Sequence, residues 1–478
     1  MFRKHLAPFL LVLCLVTVAP AASPEPFVLL HSLFDHGTNV QADAQHDYSV
    51  AVDGNLAVVG VPYIDVYAFI TSESSHDAGE VRVYAATTGT QLLTLTNPSP
   101  GVGEFFGWSV AISGTRVVVG APFDTTDVQL TGSAYVYDLA GAMPATPVLV
   151  LTNPTPKFAD RFGWSVAISG TRVVVGASRD DTGTNDAGSA YVYNLVNASP
   201  AVPALILTNP TPGKFDVFGM SVGISGSRVV VGAPGDDTGA ADTGSAYVYD
   251  LASAKPAVPM VTLTNPGPAG GDLFGSGVAI SQNWVVVSSK EDHVPGMVSG
   301  SALVFDLGSA SPTVPALVLT RPNAAGFDLF GCSVSISGAM VVVGAYGDNT
   351  GTNMTGSAYV YDLASATPAA PLATLRNPNP VQYAWFGWAV ATDGSTVVAA
   401  VKGADSAYVF GLRPTLSIAP AALGLATISW SPTNSPGFVL QYAESLAPTN
   451  WLTAPSGATN PVTVSTTNTA RFYRLAQP

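Results

Sequence analysis

Aspartate recurs at fixed steps in this sequence. Asp124, Asp180, Asp236, Asp292 and Asp348 lie 56 residues apart, and Asp160, Asp216, Asp272 and Asp328 form a second series with the same step. Paired carboxylates can share a proton as general acid and base, hold a hard cation through oxygen ligands, or anchor turns by accepting backbone N–H bonds. An acid repeated at every step favours a role in each repeat, since a single binding site would not need it. Departures from the repeat are the sharper ligand candidates: Arg179 with Asp186, the Glu291-Asp292-His293 run, and the stretch with Asp65, His76 and Asp77. The candidate ligand-binding set is therefore Asp124, Asp180, Asp181, Asp186, Asp236, Asp237, Asp292, Asp348, Arg179 and His293. No catalytic residue is assigned. The sequence holds no His-Glu-x-x-His, no Gly-x-Ser-x-Gly elbow and no phosphate loop. A carboxylate pair for glycoside chemistry would assemble only in the fold.

The elements that would position these residues repeat with the same step. Phe-Gly pairs begin at Phe106, Phe162, Phe218, Phe274, Phe330 and Phe386, and Gly-Ser-Ala recurs at Gly132, Gly188, Gly244, Gly300 and Gly356. One unit reads as four strands: residues 162–168, 172–177, 189–195 and 204–208, with Asn209-Pro210 ending the last, because proline cannot continue a ladder. The second strand is apolar at successive positions (Val173, Val174, Val175), which predicts burial on both faces. In the first strand Phe162, Trp164, Val166 and Ile168 share one parity and smaller residues the other. Seven such units predict a seven-bladed β-propeller, all-β, over residues 22–412. The seventh unit lacks a fourth strand, and residues 27–33 have the pattern to supply it and close the ring. Both Asp-bearing joints then fall on one rim, and Arg116, Arg172 and Arg228 fall on the other. The position after each Phe-Gly, as at Trp108, Trp164, Met220, Ser276, Cys332 and Trp388, faces the axis.

The runs Phe-Gly-Trp-Ser-Val-Ala-Ile-Ser-Gly, Val-Val-Val-Gly-Ala-Pro and Gly-Ser-Ala-Tyr-Val-Tyr resemble the FG-GAP repeat of integrin α-subunit heads and exported bacterial proteins. The resemblance implies a seven-bladed propeller and a ligand-binding rim. Calcium-binding members carry an acidic loop between first and second strands. Here that joint reads Ser113-Gly114, Ser169-Gly170, Ser225-Gly226 or Ser337-Gly338, without carboxylates. The resemblance is therefore to a subtype lacking the calcium loops; no cofactor or metal is assigned, with calcium kept as the alternative.

The N-terminus pairs Arg3 and Lys4 with an apolar run, Leu6 to Val18, and a small-x-small stretch at Ala19-Pro20-Ala21. That is the pattern of a signal peptide over 1–21, cleaved near Ala21, and predicts a secreted, extracellular or periplasmic protein. Removing those residues takes away two cations and moves the formal charge from −14 to −16. So acidic a chain is a poor partner for nucleic acid or anionic membranes. Only Cys332 remains, so no intrachain disulfide is available. No later stretch reads as a transmembrane anchor. Residues 413–478 leave the repeat and resemble a small fibronectin-III-like β domain. The expectation is a monomeric, non-enzymatic recognition or adhesion propeller that binds an extracellular protein or glycan through its acidic rim. An exported polysaccharide lyase or hydrolase and a structural envelope component are the alternatives.

Overall fold

The computed structural model describes residues 26–33, 49–63, 66–67, 74–75, 77–125, 130–293, 298–322, 326–349, 354–380, 382–402, 406–421, 425–431, 438–444, 451–454, 460–465 and 471–476. The leader and the candidates Asp65 and His76 lie outside these residues. All regular elements among them are β-strands.

Blade three shows how the residues make the repeat. Its strands are Phe162–Ser169, Arg172–Ala177, Ser189–Asn194 and Leu205–Thr208, paired antiparallel in chain order. Gly170 (φ +60°) takes the first central position of the two-residue hairpin between Ser169 and Arg172, where positive φ matches the strand twist. Val173 and Val175 enter a core shared with blade two, through Val118, Val136 and Leu151. Val174 points the other way, into a core shared with blade four through Val229 and Val231. Successive valines thus serve opposite interfaces, and all three are fully buried. The register shifts between Phe162 and Ser165, where three residues on the first strand oppose one on the second. This bulge breaks the simple parity of the sequence reading. Phe162, Val166 and Ile168 share the core, while Trp164 turns out of it, half-buried.

Seven four-stranded sheets repeat this plan. Their first strands neighbour one another in order, and the first strand of blade seven (Phe386–Thr392) returns to that of blade one (Ser49–Asp53). The sheets therefore form a closed ring, a β-propeller with the first strands innermost. Blade seven takes its fourth strand from the N-terminal side: Phe27–Ser32 pairs antiparallel with Ser406–Leu412. Neighbouring blades approach closely at Gly176, where a Cβ would sit 2.1 Å from the carbonyl oxygen of Gly219. Ser165 donates to that same carbonyl at 2.8 Å, and Ser109, Ser49 and Ser221 repeat the bond to Gly163, Gly107 and Gly275. On the opposite rim the Ser-Gly turns are blade connectors: Ser113 Oγ accepts from Gly170 N–H and Ser169 Oγ from Gly226 N–H, both at 3.1 Å. Arg116, Arg172 and Arg228 reach the next blade's turn carbonyls in the same way.

Beyond the ring, two three-stranded sheets enclose a small core of Ile428, Trp430, Leu440 and Ala454. One sheet comprises Thr415–Pro420, Leu425–Ser431 and Val462–Ser465; the other Leu452–Thr453, Val439–Ala443 and Phe472–Ala476.

Candidate functional site

The two aspartate series meet at the blade interfaces. Between blades two and three, Asn153 at the end of one fourth strand donates to Asp160 at 2.8 Å, and Lys157 N–H donates to the same oxygen at 2.7 Å. Asp180, from the loop after the second strand of blade three, accepts from Thr182 and from the Tyr191 phenol. Tyr191 also reaches Asn153 Oδ1 at 3.1 Å, which closes a four-residue knot. Asn209, Asp216, Asp236 and Tyr247 repeat it one blade on, where the Asn209 amide reaches both carboxylates. Asn97, Glu104, Asp124 and Tyr135 form it one blade earlier. Asp160 and Asp180 are 1% and 2% exposed. Burial pushes Asp160 up to about 6, with the nearby Asp180 charge adding to it and the Lys157 N–H bond opposing. Glu104 and Asp216 are raised for the same first reason.

Other interfaces vary the chemistry. At the fifth-to-sixth junction Arg321 stands at the position that Asn97, Asn153, Asn209, Asn265 and Asn377 hold in other blades. Its guanidinium reaches Asp328 at 2.7 Å and Asp348 at 2.8 Å, and it donates to Tyr359 at 3.1 Å. At the fourth-to-fifth junction Leu303 replaces the tyrosine. There Ser301 donates to Asp292 at 2.5 Å, and His293 Nδ1 lies 3.6 Å from Asp272. Asp292 is raised, first by burial.

Of the candidate ligand residues, Asp124, Asp180, Asp236 and Asp348 are thus buried within these knots, and Asp292 is half-buried in one. Arg179, Asp181, Asp237 and His293 face solvent, and Asp186 is half-exposed. Asp181 and Asp237 accept from the amides of Asp186 and Asp242, both at 3.0 Å, and so hold their own loops. The asparagine and tyrosine series are site residues that strand patterning hides. Asn-Pro marks a strand stop in the sequence, and its 56-residue recurrence alongside the aspartates is the signal of the junction.

At the axial mouth of the same rim, half-buried aromatic rings gather. Trp108 and Trp164 stack across the blade junction at 4.8 Å between centroids, tilted by 47°. Phe105 and Phe123 extend the cluster, 5.1 Å apart. Blade seven carries a second group, with Trp388 4.8 Å from Tyr346 and the Lys402 ammonium 3.9 Å from the Trp388 ring. Blades four and five place Met220 and Ser276 at the corresponding positions. The Cys332 thiol, at the same position in blade six, donates to Gly387 O at 3.3 Å, and burial pushes it up to about 12, far from a reactive thiolate.

The FG-GAP repeat family matches residues 90–137, 151–193, 207–249, 259–305 and 318–361. The chain carries five FG-GAP repeats. Each matched segment starts near the fourth strand of one blade and ends in the third strand of the next. Residues 151–193 accordingly contain all four members of the second-to-third knot, and 318–361 contain Arg321 and its partners. No curated protein matches the chain. Among the described residues, no three His, Cys, Asp or Glu side chains cluster to hold a metal. No helix among them is long and apolar enough to cross a membrane.

Proposed function

We propose that the protein is an exported, non-catalytic recognition propeller whose loop rim meets an extracellular protein or glycan. One observation carries the reading: the recurring rim carboxylates are buried acceptors that tie blade to blade, whereas the residues facing solvent include blade-specific departures such as Arg179 and His293. Carboxylates held by asparagine and tyrosine are poorly placed to receive a substrate. A rim whose exposed side chains differ from blade to blade suits recognition of one irregular ligand. Export follows from the leader pattern over residues 1–21, and the charge of −16 that remains favours a soluble partner over nucleic acid. The terminal pair of small sheets fits a fibronectin-III-like spacer or attachment module on a monomeric propeller.

The test is the full chain, expressed for export and applied to glycan and extracellular-protein arrays, with product analysis on a polysaccharide panel in parallel. Saturable binding without turnover is expected. Hydrolase or lyase products in the absence of array binding would replace this reading with the enzymatic one.

A further inference from the structure

The mouth between blades two and three carries a cation on an aromatic floor. The Arg161 guanidinium lies 5.0 Å from the Trp164 ring centre and 5.1 Å from that of Phe123. Trp108 extends the floor, its ring centre 4.8 Å from that of Trp164. All four side chains are half-buried, so each remains partly open to solvent.

The repeat does not require this arrangement. One blade on, the residues equivalent to Arg161, Trp164 and Phe123 are Val217, Met220 and Arg179. Two of these are neither aromatic nor charged. The third, Arg179, is exposed, and its backbone N–H donates at 3.2 Å to the carbonyl of Asp160, the residue before Arg161. Arg161 is correspondingly less basic than usual, first through burial and then through Arg179, with Asp186 opposing. No carboxylate lies within salt-bridge distance of Arg161 among the described residues. Two like charges beside a hydrophobic floor, in a protein with 32 acids and 18 basic residues, are an unfavourable pairing that an incoming anion would relieve.

We propose that this corner binds an acidic polysaccharide, with sugar faces stacked on Trp108 and Trp164 and carboxylates taken by Arg161 and Arg179. Indole rings offer flat apolar surface to the C–H face of a pyranose. The planar guanidinium matches a carboxylate in a bidentate fork. The surrounding negative charge repels polyanions in general, so attachment depends on this local pair and on low salt. A nucleic acid could stack on the same rings, but two cations in so acidic a chain offer its phosphates little. The inference rests on the recognition reading above and names its ligand class and subsite.

The experiment is calorimetric titration of the full chain with polygalacturonate, dextran and oligodeoxythymidylate, using wild type, Arg179→Gln and Arg161→Gln. Polygalacturonate should bind, dextran should not, and raising salt from about 50 mM to about 300 mM should weaken binding severalfold. Each glutamine variant should weaken it by about tenfold. Arg179 is exposed, so its variant should melt with wild type and report binding alone. Absence of polygalacturonate binding, indifference to Arg179→Gln, or tighter binding of the oligonucleotide would overturn the proposal. If a neutral glycan or a protein binds instead and ignores both variants, this subsite falls while the recognition reading stands. No ligand for any form, on arrays or in titration, sinks both.

Discussion

Blades three and six use one backbone plan and tie themselves to the preceding blade in two different ways. At blade three the buried carboxylates of Asp160 and Asp180 are bridged by neutral donors, Asn153 and Tyr191. At blade six Arg321 takes the asparagine's place and pairs with both Asp328 and Asp348. In the neutral knot burial pushes Asp160 up to about 6, and the uncompensated charge of Asp180 adds to it. The cationic knot compensates charge but depends on a single side chain, since removing one partner of a buried pair leaves the others costly. The comparison teaches that the repeat conserves the geometry of the junction and not its charge.

The largest test falls on Arg321. Arg321→Ala should cost about 3–5 kcal/mol in chemical denaturation, because two buried carboxylates lose their counter-charge. Arg321→Asn should lose less than the alanine, since it recreates the chemistry of blade three. If both behave like a surface substitution, the distinction between the two knots is empty. Next is Asn153→Ala, expected to cost about 1–3 kcal/mol by leaving Asp160 and Tyr191 without their shared partner. A cost matching that of Arg321→Ala would show that charge makes no difference.

The third test is acid. Asp160 is held at about 6 in the fold, against roughly 3.9 in an unfolded chain. Between those values the folded state binds the extra proton. Its contribution to stability therefore grows as pH falls from 7, reaches its full value below the unfolded pKa, and is lost as pH rises through 6. Relative to Asp160→Asn, wild type should gain on the order of 2 kcal/mol between about pH 7 and about pH 4, read from thermal melts. Asp328→Asn should instead destabilise across that range, by removing a partner of Arg321. A flat difference between wild type and Asp160→Asn would remove the proton from the account of blade three. The smallest effect belongs to Tyr191→Phe, about 1 kcal/mol, because Asp180 keeps its bond from Thr182.

Much of the fold was legible because it is written in apolar pattern and turn chemistry. The Val173-Val174-Val175 run announced a strand buried on both faces, and the core confirms it. The Ser-Gly joints announced tight hairpins, though not their second task of receiving the next blade's turn amide. The site was less legible. Asp124 and Asp181 look alike as rim acids in the sequence, yet one is buried under Tyr135 and the other faces solvent.

What the sequence by itself determined is the period, the four strands per repeat, the FG-GAP resemblance and the places where blades depart from the repeat. These follow from local patterning, which each stretch of chain carries within itself. Only the tertiary structure decided which carboxylates are buried and what partners they have. Asn153 meets Tyr191 from 38 residues away, and Arg321 meets Tyr359 across the same separation. Such contacts depend on how one blade seats against the next and on the bulge that turns Trp164 out of the core toward Arg161. Spacing along the chain constrains neither the seating nor the direction of a side chain at a bulge.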